Sequence, residues 1–372
     1  MAKKRRRRSS KSKGAGMWPL ILVILAVGGL FGFLYFSKDT EVIDPEQEPT
    51  ESISVAVKPG QGQEDAMDLA KQKEKDRIKN AAAALSENTA SASSDEIQDD
   101  TAKEDDGHVE LHFIDVGQGD CILVRYIDED TSDGDESADM LVDAGDNNCG
   151  TKVRAYLSDV GVTKLTYMVC THPDADHIGG AASVVSQVPI TSDIVWGPNC
   201  KKDTKTYDNL MNEINNHSYR YMMPILCNTY PLGEAEVVFI GPTEEYEDAN
   251  NNSLVCSVRY RNSSVLLTGD CSEAEENDIL DEYSQSLGIL DVDILKVSHH
   301  GSQSASRKPF LDAVSPACAV ISCGIDNSYG HPNLSVLERL EDAGAEIYRT
   351  DELGNIICTM DGTHNYKWDY QK

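Results

Sequence analysis

Apolar and polar positions divide the chain into three stretches of different character. Met17 to Phe36 is a run of twenty residues without a charge, a length that matches one bilayer-spanning helix. Residues 37–107 are the reverse: low in aromatics and rich in Glu, Asp, Gln, Ser, Lys and Ala. Such a composition does not bury enough apolar surface to pack a core. This stretch is read as a tether, disordered or a stalk, with a charged helix expected over 64–85, where Pro and Gly are absent. From residue 108 onward, short apolar runs recur to the end of the chain. They predict strands at 109–116, 119–127, 140–144, 165–170, 193–197, 236–240, 254–260, 264–268, 292–298 and 318–323. Helical spacing predicts helices at 151–160, 179–187, 206–216, 272–284, 304–313 and 333–343. Strands alternate with helices but also occur in consecutive runs, which suits an α/β (α+β) sandwich of mixed sheets with helices outside.

The charge distribution sharpens the reading of the first stretch. The first thirteen residues hold eight Lys or Arg and no acid. A basic tail at 1–16 beside an apolar twenty-mer is a topology signal: the tail stays in the cytoplasm and the C-terminal bulk lies outside. Trp18 and Tyr35 suit the two interfaces. A signal peptide would have a shorter apolar core and a small-x-small cleavage site. Here the run ends Phe-Leu-Tyr-Phe-Ser-Lys, so an uncleaved anchor is expected. Residues 1–16, 17–36, 37–107 and 108–372 are therefore read as tail, membrane span, linker and globular domain.

The formal net charge is -30, which repels polyanions at long range and weighs against easy nucleic-acid binding. The ten Cys form no CxxC and no zinc-finger spacing. Cys170, Cys256 and Cys318 sit in apolar runs, where Cys packs as a small hydrophobe, and Cys271 is read in the same way.

Candidate chemistry concentrates in His172-Pro-Asp-Ala-Asp-His-Ile-Gly-Gly180. Four side chains able to bind metal, His172, Asp174, Asp176 and His177, fall within six residues. A predicted strand precedes them and a predicted helix follows, so they lie on a strand-to-helix loop. Such a loop can converge side chains that a regular strand would splay to opposite faces. Imidazole with carboxylate is a ligand set for zinc, manganese or iron. Asp270 ends another predicted strand, in Leu266-Leu-Thr-Gly-Asp270. His299 and His300 follow a third, and His331 stands in a loop before a helix. Read without context, Asp270 is a helix N-cap and His331 part of a turn.

The central motif resembles the His-x-His-x-Asp-His signature of the metallo-β-lactamase fold. Its form here, His172-x-Asp174-x-Asp176-His177, is similar to the variant of the competence protein ComEC group. Four further stretches resemble that group in order: Phe113-Ile-Asp-Val-Gly-Gln-Gly-Asp120, Leu267-Thr-Gly-Asp270, Leu295-Lys-Val-Ser-His-His-Gly-Ser302 and Tyr329-Gly-His-Pro332. Together they span about residues 109–360. The resemblance implies a four-layer α-β-β-α sandwich and two divalent metal ions, zinc or manganese. His172 and Asp174 would serve the first ion; Asp176, His177 and His299 the second; Asp270 would bridge them. His300 would contact the attacking or leaving oxygen, although the order of the two adjacent His is open. Asp176 and His331 join His300 as expected catalytic residues, His331 at a substrate phosphate or as proton donor. Asp143 would support the metal loop without binding metal, and Asp115, Asp120 and Asn252 would line the site. A carboxylate at 174 in place of imidazole shifts preference toward manganese. One departure stands out: the family's further His before the bridging Asp has no clear counterpart. His217, the one His in that interval, is expected at a helix end, so the first ion is expected to be weakly held.

The implied activity is that of a membrane-anchored, extracytoplasmic hydrolase acting on a phosphodiester, with DNA as the expected substrate. A metal ion acidifies its water, so no Ser or Cys nucleophile is required. An esterase of cell-wall or small phosphodiesters is the alternative that the acidic composition favours. A binding module without catalysis is a third, and the intact ligand set weighs against it. Neither a channel nor an oligomeric state is implied.

Overall fold

In the computed structural model, residues 61–92, 107–129, 136–198 and 201–372 are described. The expected tail and membrane span at 1–36 lie outside them. No helix among the described residues is long and apolar enough to cross a membrane.

The described chain begins with helix α1 (Gln61–Ala92), then β1 (His108–Phe113), β2 (Ile122–Asp128) and β3 (Glu136–Val142). Next come α2 (Gly150–Asp159), β4 (Leu165–Cys170), the short helices α3 (Ala175–Ile178) and α4 (Ala181–Val185), β5 (Ile190–Trp196), α5 (Lys205–Asn216) and β6 (Tyr221–Met222). The second half holds β7 (Thr229–Leu232), β8 (Ala235–Gly241), β9 (Val255–Tyr260), β10 (Ser263–Leu267), α6 (Glu273–Glu282), β11 (Ile294–Lys296), α7 (Lys308–Val314) and β12 (Cys318–Ile321). It ends with α8 (Leu334–Asp342), β13 (Glu346–Arg349), α9 (Thr350–Leu353), β14 (Asn355–Met360) and β15 (Tyr366–Gln371).

Two mixed sheets result. One has the order β15-β14-β1-β2-β3-β4-β5-β6 and the other β13-β12-β11-β10-β9-β8-β7. Strands β3 to β6 run parallel in the first sheet, and β10 to β13 in the second. The period-two alternation of the strands decides what each face meets. Tyr167 and Val169 of β4 enter a core shared with Val237 and Phe239 of β8, so that core lies between the sheets. Their neighbours Met168 and Cys170 pack instead with Val153, Ile178, Val184 and Leu210 under α2 to α5. Val238 and Ile240 of β8 pack with Ile279, Phe310 and Val336 under α6 to α8. Helices therefore cover the outer face of each sheet, as the α-β-β-α expectation requires.

Five strands, β6, β7, β13, β14 and β15, were not expected from the pattern. Each is short or polar on alternate residues; β14 shows buried and half-buried positions in strict alternation. β14 pairs with β1 through five residues, Val109↔Met360 to Phe113↔Ile356. That pairing brings the C-terminal segment beside the first strand, a contact that local sequence cannot specify.

α1 also departs from a purely solvated tether. Ile78 and Ala82 are buried against a cluster that includes Cys227, Tyr283, Ile289 and Leu290, with Ala81 and Leu85 half-buried beside them. These four positions share one helical face. Arg77 donates to the Leu226 carbonyl at 3.1 Å, and Lys75 pairs with Glu244 at 2.9 Å. A sparse apolar stripe is enough because the outer face of the second sheet supplies the rest of the core.

Candidate metal centre

The parallel strands β4 and β11 end on the same rim of the sandwich, and the loops that follow them carry the histidines. After β4 the chain turns through His172 and Asp174 into α3, which places Asp176 and His177 one turn above. Gly119 permits this packing. Its φ is +140°, and a Cβ there would lie 2.3 Å from the Asp176 carbonyl oxygen. From the second sheet come Asp270, after β10, and His299 and His300, after β11. His299 and His300 both have left-handed backbone, with φ 50° and 54°, a conformation that costs non-glycine residues energy and clusters at functional sites.

Asp270 stands at the centre. Its Oδ1 lies 3.1 Å from His177 Nε2 and 3.5 Å from His300 Nε2. Its Oδ2 lies 3.8 Å from His172 Nε2 and 3.5 Å from His299 Nε2. Asp176 Oδ2 is 3.5 Å from His300 Nε2. One ligand atom each from Asp176, His177, Asp270 and His300 falls within 4.8 Å of the others. His172, His177 and His300 are buried, as is Asp270.

The outward nitrogens of these rings are tied down. His177 Nδ1 bonds Asp143 Oδ2 at 2.7 Å, and His300 Nδ1 donates to the Ser322 carbonyl at 2.9 Å. His172 Nδ1 sits 3.2 Å from Thr171 Oγ1 and 3.3 Å from Ser253 Oγ. Each ring thus turns an Nε2 inward. Those three Nε2 atoms and Asp270 Oδ1 are buried without a hydrogen-bond partner. Buried polar atoms are rarely left unsatisfied. Several converging on one point, with the far ring nitrogens held by carboxylate, carbonyl and hydroxyl, is the donor arrangement that a divalent cation fits.

Charge shifts follow from this crowding. Burial opposes the charge on His177, but Asp270 and Asp143 outweigh it and hold the imidazole well above its ordinary pKa. For His300, Asp270 and Asp120 likewise overcome burial and raise the value to about 9. Burial, followed by the charge of His177, lowers His172 to about 4. Asp270 falls well below the carboxylate range because His177 and His300 more than offset its burial. The fully buried Lys296 pairs with Asp120 Oδ2 at 2.9 Å, and Asp120 Oδ1 faces His300 Nδ1 at 3.4 Å.

The remaining expected site residues take different places. Asp143 supports the loop: besides His177 it accepts from the Thr171 amide at 2.9 Å and the Thr171 hydroxyl at 2.6 Å. Asp174 is outside the four-residue group and pairs with Lys202. His299 is also outside that group, on the Oδ2 side of Asp270. Asp115 closes its own turn by accepting from the Gly117 amide at 3.0 Å. Asn252 holds the 246–252 loop through Tyr246 and Asp248; its neighbour Asn250 is the one that reaches His299, at 3.4 Å. His217 pairs with Glu213 and stacks on Tyr219, and it is not part of this group. His331 lies at the mouth, its ring 5.7 Å from His299 and 6.5 Å from His300. Burial, then His299 and His300, lower it to about 4, so it faces the site as a neutral imidazole at neutral pH. The nine described cysteines are free thiols, and Cys271 is buried as packing.

Sequence reasoning missed the roles of Lys296, Thr171, Ser253 and Lys202. Lys296 was legible in principle, since a lone cation in the apolar run Ile294-Leu-Lys-Val297 must find a partner inside. The two hydroxyls carried no such signal.

Residues 114–325, more than half of the chain, match the Metallo-beta-lactamase superfamily. The chain is similar to "ComE operon protein 3" of Bacillus subtilis (strain 168), 26% identical in a 269-residue alignment that covers 66% of this chain and 32% of that protein. It is also similar to "Competence protein ComA" of Neisseria gonorrhoeae, 28% identical over 242 residues, 64% of this chain and 30% of that one. It therefore spans about a third of the length of these curated relatives. Among solved structures, a long form RNase Z from yeast aligns over 67% of this chain and 42% of its own, with a TM-score of 0.43 and 13% identity. The chain belongs to the metallo-beta-lactamase superfamily, as a hydrolase of that fold related to the competence proteins.

Proposed function

We propose that the chain is a metal-dependent phosphodiesterase acting on DNA, held at the outer face of a membrane by a single span at 17–36. One observation carries the reading. Loops from both sheets bring Asp176, His177, Asp270 and His300 together, and the inward atoms of His177, Asp270 and His300 are buried and unpartnered. We assign these four to one ion, which replaces His299 by His300 in the expected ligand set. A second ion would take His172 and His299 on the Oδ2 side of Asp270, with Asp174 released from Lys202. On this assignment His299 supplies the imidazole that the sequence lacks before the bridging Asp. Imidazole mixed with carboxylate suits zinc or manganese.

A divalent ion bound there supplies Lewis-acid charge and an acidified water. The chain's own residues orient and shield. Asp143 and the Ser322 carbonyl fix the tautomers of His177 and His300, so their lone pairs point inward. Lys296 compensates the buried charge of Asp120, whose other oxygen faces His300 Nδ1. His331 offers a neutral N–H to a phosphate oxygen at the mouth.

DNA as substrate draws support from the competence names of the relatives; the formal net charge of -30 favours a smaller phosphodiester. The test strips the protein of metal, restores zinc or manganese, and assays linear DNA and a small phosphodiester reporter beside Asp176→Ala. DNA cleavage that vanishes in the variant is the expected result. Reporter cleavage alone would move the substrate to small phosphodiesters. Metal uptake without cleavage of either would leave a binding module.

A further inference from the structure

The loop that carries His331 also displays exposed apolar side chains that the metal chemistry does not use. Tyr329 and Ile325 are each 69% exposed and Leu334 68%. Single exposed hydrophobics are ordinary on a protein surface, but an exposed aromatic ring in contact with a site histidine is placed where a ligand would pass. The Tyr329 ring stacks on His331, with centroids 5.7 Å apart and planes at 25°. The ring is thus tied to the site through His331 while most of its surface stays open.

Tyr329 is displayed on a rigid support. Asn327 Oδ1 accepts from the amides of Tyr329 at 3.2 Å and His331 at 3.0 Å. Asn327 Nδ2 donates to the Gly324 carbonyl at 2.9 Å, and the Gly324 amide donates to Gln118 Oε1 at 3.2 Å. The loop therefore has its shape before any ligand arrives, which reduces the entropy lost on binding.

We propose that Tyr329 is a stacking platform for an unpaired nucleobase next to the phosphodiester held at the metal centre, and that it makes the site selective for single-stranded nucleic acid. The inference rests on the phosphodiesterase reading. Two physical arguments carry it. Long-range electrostatics work against nucleic acid on a chain of net charge -30, so attraction has to come from short-range contacts. Stacking on an aromatic face is such a contact, and it is tolerant of sequence because every base has a π face. A base inside a duplex already has both faces stacked, so an open ring at the mouth rewards a strand that is unpaired there.

The test measures binding and cleavage by the full metal-loaded chain and by Tyr329→Leu and Tyr329→Phe. The ligands are a single-stranded oligonucleotide with 2-aminopurine at each position in turn, matched strands with an abasic site at each position, and the duplex. The wild type should quench 2-aminopurine at one position and bind the intact strand about tenfold more tightly than the matching abasic strand, in line with the usual worth of one stacked base. Tyr329→Leu should lose both the quench and the discrimination, and Tyr329→Phe should keep them. Discrimination unchanged in Tyr329→Leu, or duplex bound as well as single strand, would overturn the proposal. Quenching is read without turnover, so a chain that stacks the base yet cleaves nothing would refute the phosphodiesterase reading alone. Cleavage of a base-free reporter with no oligonucleotide binding would leave that reading standing and sink this one.

Discussion

The loops after β4 and β11 perform matching tasks by different means. Both follow a parallel strand at the same rim, and both deliver imidazoles to Asp270. The first spreads His172 and His177 over six residues and uses the turn into α3 to bring both rings inward. The second has two His in succession and must separate them. It does so with two left-handed residues, sending His300 into the buried group and leaving His299 at the edge, beside Asn250 and Asp270 Oδ2. Spacing thus specifies the first loop, whereas backbone dihedrals specify the second.

The largest effect expected from breaking this comparison is His300→Ala. Removing it should cost more metal affinity and activity than the ~100-fold that follows loss of an outer partner, as read by metal content and turnover. His299→Ala should cost clearly less and should lower occupancy of one ion only. Equal losses would mean that the two His are equivalent. Lys296→Ala should come next. It leaves Asp120 buried without its partner and should destabilise the fold by about 3–5 kcal/mol, measured by denaturant unfolding. Asp143→Asn removes the carboxylate behind His177 and should weaken metal binding by about 10–100-fold with the fold retained.

The pH dependence of metal uptake is the mildest effect. In the metal-free protein His300 titrates at about 9, and His177 lies well above its ordinary value. Both are therefore protonated at neutral pH, and uptake must release protons. Apparent affinity should rise by about tenfold per pH unit for each proton released, flattening for His300 near 9. The same raised values stabilise the metal-free fold. For His300 that stabilisation is complete below an unfolded value of about 6.5 and is lost as pH rises through about 9. Titration calorimetry in buffers of differing ionisation heat counts the protons, and a pH-independent affinity would refute the account.

Much of this site was legible in the residue order. A strand-loop-helix with two His and two Asp in phase, an Asp after β10 and a His pair after β11 name the ligand pool, because short-range spacing on a loop limits where side chains reach. The strands of the central sheets were legible for a similar reason: apolar runs of β length have few other uses. β14 and β15 escaped because their half-polar alternation takes its meaning from β1, more than two hundred residues away in sequence. α1 escaped in part because its apolar stripe is too sparse to predict packing until the exposed face of the second sheet is in place.

By itself the residue order determined the family, the pool of ligands and the presence of a twenty-residue apolar run, since each is a property of local composition and spacing. Tertiary structure alone decided which of His299 and His300 joins the buried group, that Asp174 faces Lys202, that Lys296 answers Asp120, and that Tyr329 lies open beside His331. Those outcomes depend on where loops from two separate sheets meet. The meeting is set by the packing of the two sheets against each other, a long-range result that no local pattern encodes.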